Sequence, residues 1–162
     1  MATVLIGPMG AGKTTLGKKL SKKLGLSFAD TDRLIAKDHG AITKIFEKHG
    51  EDYFRDLETK YLAEALESFE IVATGGGIVL RDKNRELLTG HKVVFLDTDQ
   101  QSVIGKINLD KRPLIRDDPD AWGRIYQARL PLYQAVATRT VFTGSRAIRA
   151  ITKELEEIIV GN

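Results

Sequence analysis

Three groups of residues could do chemistry by their types and spacing. The first is Gly7-Pro8-Met9-Gly10-Ala11-Gly12-Lys13-Thr14, which fits the phosphate-binding pattern G-x-x-x-x-G-K-[ST] at every fixed position. The glycines let the backbone curl so that successive N–H groups point at phosphate oxygens. A helix opening at Lys13 adds the positive end of its dipole. Lys13, facing solvent and phosphate rather than the core, can reach the β- and γ-phosphates, and the Thr14 hydroxyl can ligate Mg²⁺. The bland alternative is a Gly-rich turn with a surface lysine. The strand before the motif and the helix after it argue against that.

The second group is Asp30-Thr31-Asp32. Two carboxylates two residues apart at a strand end can face different ligands. One could hold a magnesium-bound water and the other could take a proton from an acceptor hydroxyl; equally, Asp32 could only cap the following helix. The third group is Gly75-Gly76-Gly77, which permits close approach of backbone to ligand or simply makes a tight turn. Arg55, Arg112 and Arg129 are cations that read individually as solvated surface residues. Arg112, in Asp110-Lys111-Arg112-Pro113-Leu114, could also close over phosphates from a hinged loop. Phe46, Phe54 and Trp122 read as packing residues, and His39, His49 and His91 as surface residues without metal-ligand spacing.

The elements that must position these groups alternate. Strands are expected at Thr3–Ile6, Ser27–Ala29, Ile71–Thr74, Lys92–Leu96 and Thr140–Phe142. Helices are expected from Lys13 to Leu24, closed by Gly25, then over Asp32–His39, Thr43–Lys48, Glu51–Ser68, Asp82–Leu88 and Gln100–Leu109. Another runs from Asp120 to Arg129 and is kinked or ended by Pro131. Ser145 is placed to cap the last helix, whose Ile148, Ile151, Leu155, Ile158 and Ile159 fall on one face. Asp110–Pro119 is charged and without period, and reads as a mobile loop. This alternation predicts a parallel sheet with helices on both faces and ligands at the carboxyl ends of the strands.

Composition sets the outer bounds. The chain has 162 residues, close to the size of one domain, with no cysteine and a net charge of +3. The absence of cysteine excludes disulfides and thiolate metal sites and fits a reducing cytoplasm. The small charge excess gives no case for nucleic acid. No apolar run is long enough for a membrane span, and Met1–Val4 enters a strand directly, so no secretory leader is expected.

Together, Gly7–Thr15, Asp30–Asp32, Gly50–Glu58, Gly75–Gly77, Arg112-Pro113-Leu114 and Arg129–Tyr133, in that order over nearly the whole chain, resemble the shikimate kinases. The resemblance implies a single kinase domain over residues 1–162, with the P-loop NTPase fold of nucleoside monophosphate kinases and a five-stranded parallel sheet in the order 2-3-1-4-5. It implies an acceptor-binding helical region at about 32–60 and a lid at about 110–119. The implied reaction is transfer of the γ-phosphoryl of ATP to the 3-hydroxyl of shikimate, with Mg²⁺, by a cytoplasmic monomer without nucleic-acid or membrane partners. ATP would be held by Gly10, Ala11, Gly12, Lys13, Thr14, Thr15 and the lid residue Arg112. Shikimate would be held by Asp32, Arg55, Gly76 and Arg129, with Phe46 and Phe54 lining its pocket. Thr14 and Asp30 would serve the metal, and Lys13, Asp32 and Arg112 the catalysis. The chain departs from the family in having Thr14 where Ser is usual, and Lys106 near the place of an adenine-stacking arginine. The rivals are a gluconate or nucleoside monophosphate kinase of the same fold, and a nucleotide-driven switch. The switch would call for a guanine-reading Asn-Lys-x-Asp segment, which the sequence lacks.

Overall fold

The computed structural model describes residues 1–104, 118 and 120–161. Five strands, β1 (Thr3–Ile6), β2 (Phe28–Asp30), β3 (Ile71–Ala73), β4 (Lys92–Asp97) and β5 (Arg139–Phe142), form one sheet in the order β2-β3-β1-β4-β5. Every pairing is parallel, with Leu5 opposite Ala73 on one side and Val94 on the other. This is the expected 2-3-1-4-5 topology.

Successive residues of a strand face opposite sides of the sheet, and the two cores divide accordingly. Val4, Ile6, Val72, Val93 and Phe95 pack under α4 (Glu51–Ser68), α5 (Asp82–Leu88) and α7 (Ala121–Val136), meeting Leu62, Leu88 and Tyr133. Leu5, Ile71, Val94, Leu96 and Val141 pack on the other face against Leu16 and Leu20 of α1 (Lys13–Leu24) and Ile151 and Leu155 of α8 (Ile148–Val160). Strands buried on both faces account for the nearly continuous apolar runs. A third cluster, Ile35, Ile45, Phe54 and Tyr61, binds α2 (Thr31–His39) and α3 (Ile42–His49) to α4. A short α6 (Gln100–Ile104) and the start of α7 share Val103, Ala121 and Trp122.

Three local expectations are corrected. Pro131 does not end α7, which continues through it to Val136. Its missing N–H belongs to the bond with Gln127, and both residues are exposed, where water can serve that carbonyl. Ser145 does not cap the last helix: it sits at φ 54, and Ala147 is the N-cap. Ile148 leaves the buried face of α8 and is 50% exposed. The expected extension of α6 to Leu109, together with Lys106, Arg112 and most of the 110–119 segment, lies outside the described residues.

Candidate active site

The carboxyl ends of β1, β2 and β3 converge on one cleft of about 410 Å³. The loop Gly7–Gly12 leaves β1 there. Its bend places Gly7, Gly10 and Gly12 at positive φ. Gly7 has φ 144, and a methyl group on it would run into the Leu96 carbonyl of β4. Gly12, at φ 98, is the N-cap of α1. The loop is also braced from just past β5: the Thr143 hydroxyl donates to the carbonyls of Ala11 (2.9 Å) and Asp97 (3.1 Å). Gly10, Gly12, Lys13, Thr14 and Thr15 line the cleft. Ala11 instead buries its side chain against Leu16, and its N–H donates to Pro8 at 3.2 Å.

Lys13 differs from its expected exposure. It is 9% exposed, and its ammonium donates to the carbonyls of Gly7 and, at 2.9 Å, Pro8. It lies folded along the loop rather than out in solvent.

The two aspartates divide their work. Asp30 Oδ1 accepts from the N–H groups of Asp32 (3.0 Å) and Arg33 (3.2 Å), so Asp30, not Asp32, is the cap of α2. Its Oδ2 accepts from the Thr14 hydroxyl. This pair of hard oxygens at the phosphate loop suits Mg²⁺, which keeps several waters and needs few protein ligands. Asp32 is free of capping duty. Its Oδ1 is shielded from solvent and has no hydrogen-bond partner among the described residues. Burial, with Glu58 and Asp30 nearby, pushes its carboxyl up to about 6, against the pull of Lys13 and Arg55.

Across the cleft, Arg55 is not the solvated helix residue that its sequence context alone predicts. It is 9% exposed and donates to Glu58 at 2.9 Å and Glu51 at 3.2 Å. Burial works against its charge, and the two carboxylates overcome that. Glu58 is 1% exposed; burial raises its carboxyl, opposed by Arg55, Arg129 and Arg81. Phe46 and Phe54 pack together at 5.0 Å and line the same cleft. Arg129 reaches it from α7.

The glycine run is both turn and site. Ile78 N–H donates to Gly75 and Leu80 N–H to Gly77. None of the three glycines has a positive φ; what each provides is room for one charged side chain. A methyl on Gly75 would stand 2.7–2.8 Å from the Asp32 carboxylate oxygens, and one on Gly76 3.3 Å from Arg129 Nη1. One on Gly77 would come within 2.7 Å of Arg55 Cζ and Nη2. Three consecutive glycines therefore serve an acid and two guanidiniums in one wall of the cleft.

A model of the shikimate kinase family matches residues 9–160. The chain belongs to the shikimate kinase family. The shikimate kinase of Thermobifida fusca is 42% identical over 160 residues, which cover 94% of this chain and 93% of that one. Among solved structures, the shikimate kinase of Acinetobacter baumannii in complex with shikimate superposes with a TM-score of 0.90 at 37% identity, covering 98% of this chain and 92% of that one. A gluconokinase of Sinorhizobium meliloti shares the fold, with a TM-score of 0.59 at 20% identity over 98% of this chain and 90% of its own. This member of the shikimate kinases thus brings Lys13, Thr14, Asp30, Asp32, Arg55, Gly76 and Arg129 into one cleft, while Arg112 falls outside the described residues. Two further cleft residues, Glu58 and Thr74, had no role assigned from sequence. The helical spacing of Glu58 from Arg55, three residues on, was the available signal.

Proposed function

We propose that the protein transfers the γ-phosphoryl group of ATP to the 3-hydroxyl of shikimate, giving shikimate 3-phosphate and ADP, as one kinase domain spanning residues 1–162. The observation that carries the reading is the glycine-backed wall holding Asp32, Arg55 and Arg129 beside a phosphate loop. A carboxylate and two guanidiniums suit an acceptor that offers a hydroxyl at one end and a carboxylate at the other.

In this reading the loop N–H groups and the N-terminus of α1 hold the phosphates through Gly10–Thr15. Lys13 exchanges its loop carbonyls for phosphate oxygens. The Asp32 carboxylate takes the acceptor proton as the hydroxyl oxygen bonds to Pγ and the bond from Pγ to the departing ADP oxygen breaks. Arg55, Arg129 and Gly76 hold the acceptor carboxylate, which does not react. Thr14 and Asp30 would hold Mg²⁺, which when bound offsets charge on the phosphate oxygens. Arg112 is assigned to the lid that excludes water from the phosphoryl group. Its loss should lower turnover more than acceptor affinity. We place the enzyme in the cytoplasm as a monomer without membrane or nucleic-acid partners; among the described residues no helix is long and apolar enough to cross a membrane.

A coupled ADP-release assay across shikimate, gluconate, nucleoside monophosphates and no acceptor tests this. Release should depend on shikimate. Equal release with gluconate or a monophosphate would favour those substrates, and slow release without any acceptor would favour a nucleotide switch.

A further inference from the structure

Tyr133 is fully buried beneath the acceptor wall and does not line the cleft. Its ring stacks on Phe95 of β4, with centroids 5.0 Å apart and planes 26° apart. Its hydroxyl donates to the Gly76 carbonyl at 2.5 Å. One turn earlier on α7, Arg129 lies on the same helix face, its charge acting on that hydroxyl. Burial pushes the hydroxyl up to about 12, against the charge of Arg129, so it remains a donor near neutral pH.

A trans peptide is planar, and its C=O and N–H point in opposite directions. Holding the Gly76 carbonyl toward Tyr133 therefore aims the N–H of Gly77 away from it. Gly77 backs onto the Arg55 guanidinium, and both line the cleft. The one hydroxyl thus fixes this peptide plane, next to which the Arg129 guanidinium lies.

We infer that Tyr133 is a positioning residue for the acceptor carboxylate, aligning from behind the Gly76–Gly77 peptide that lies beside Arg129. The inference rests on reading the cleft as the shikimate site. It adds a residue that touches neither substrate, and it predicts where its effect is felt. Only the carboxylate end of the acceptor should register its loss.

The test is Tyr133→Phe, which keeps the ring on Phe95 and removes the hydroxyl. Phe95→Leu serves as the control, loosening the same packing and leaving the hydroxyl in place. The expected result is a rise of about tenfold in KM for shikimate, the worth of about 1.4 kcal/mol. KM for ATP and kcat should stay within about twofold of wild type. With a shikimate analogue carrying a hydroxymethyl group in place of the carboxylate, Tyr133→Phe and wild type should be equal. An unchanged shikimate KM, an equal loss on the analogue, an equal loss in Phe95→Leu, or failure of the phenyl variant to fold each overturns the inference. A wild-type enzyme that releases no ADP with shikimate would overturn the functional reading instead.

Discussion

Gly77→Ala isolates the steric half of the acceptor site. The backbone at Gly77 needs no positive φ, so alanine brings no strain of its own. What it meets is the Arg55 guanidinium. The added methyl would stand 2.7 Å from Cζ and Nη2, where ordinary contact begins near 3.4 Å, so the group must retreat by at least about 0.7 Å. Glu58 at 2.9 Å and Glu51 at 3.2 Å hold it in place, so the retreat stretches an established pair. A hydrogen bond to a charged group is worth about 1.5–3 kcal/mol, which corresponds to about 10- to 150-fold in shikimate affinity. The phosphate loop is untouched, so nucleotide affinity should not move. Calorimetric titration of shikimate and of ADP, each alone, reads the two effects separately, with a thermal melt to verify folding. Because both changes act through one guanidinium, Gly77→Ala in an Arg55→Ala background should cost nothing further. A folded Gly77→Ala protein with shikimate affinity within twofold of wild type would refute this account of the glycine run.

Lys13→Met should reduce kcat by about 10²- to 10³-fold, the loss of one charged transition-state contact, while the thermal melt remains cooperative; steady-state turnover near wild type would remove Lys13 from catalysis. Arg129→Ala should raise KM for shikimate and spare KM for ATP, measured by varying each substrate in turn. For Asp32 the folded carboxyl lies above its ordinary 3.8, at about 6, so the stability linked to its neutral form is present below pH 4 and lost as pH rises through 6. Turnover should therefore fall below about pH 6 as the proton acceptor is filled. Asp32→Asn should abolish turnover yet raise the melting point of the ligand-free protein at pH 8, by an amount reflecting about 2–3 kcal/mol after allowance for partial solvent access. That gain should vanish at pH 4.

The parallel sheet and many element ends could be anticipated because strands buried on both faces read as apolar runs and the helices carry glycine stops such as Gly25, whereas the strand order came only with the family resemblance. The P-loop was legible for a related reason: its function is performed mostly by backbone, and only a narrow set of residues permits that backbone. Side-chain sites were harder. Arg55 looks solvated along the chain because its burial is created by Phe54, Glu58 and Gly77, brought together by tertiary packing. The even choice between a site role and a capping role for Asp32 turned on a one-residue difference in where α2 begins, at Thr31 with Asp30 as its cap, and helix ends are where sequence signals are weakest. Pro131 did not end α7 because a proline's cost depends on whether the orphaned carbonyl faces water.

The sequence contains one tryptophan, and its indole N–H is fastened to the Met9 carbonyl at 2.9 Å, inside the phosphate loop, while its ring lies parallel to Tyr126 at 5.1 Å. Indole emission responds to the hydrogen bond at nitrogen and to the rings beside it. The protein thus carries a native optical probe at the point where a nucleotide arrives. Unlabelled enzyme can be followed by its own fluorescence during nucleotide titration or rapid mixing, with every emitted change in the indole signal originating from a single address.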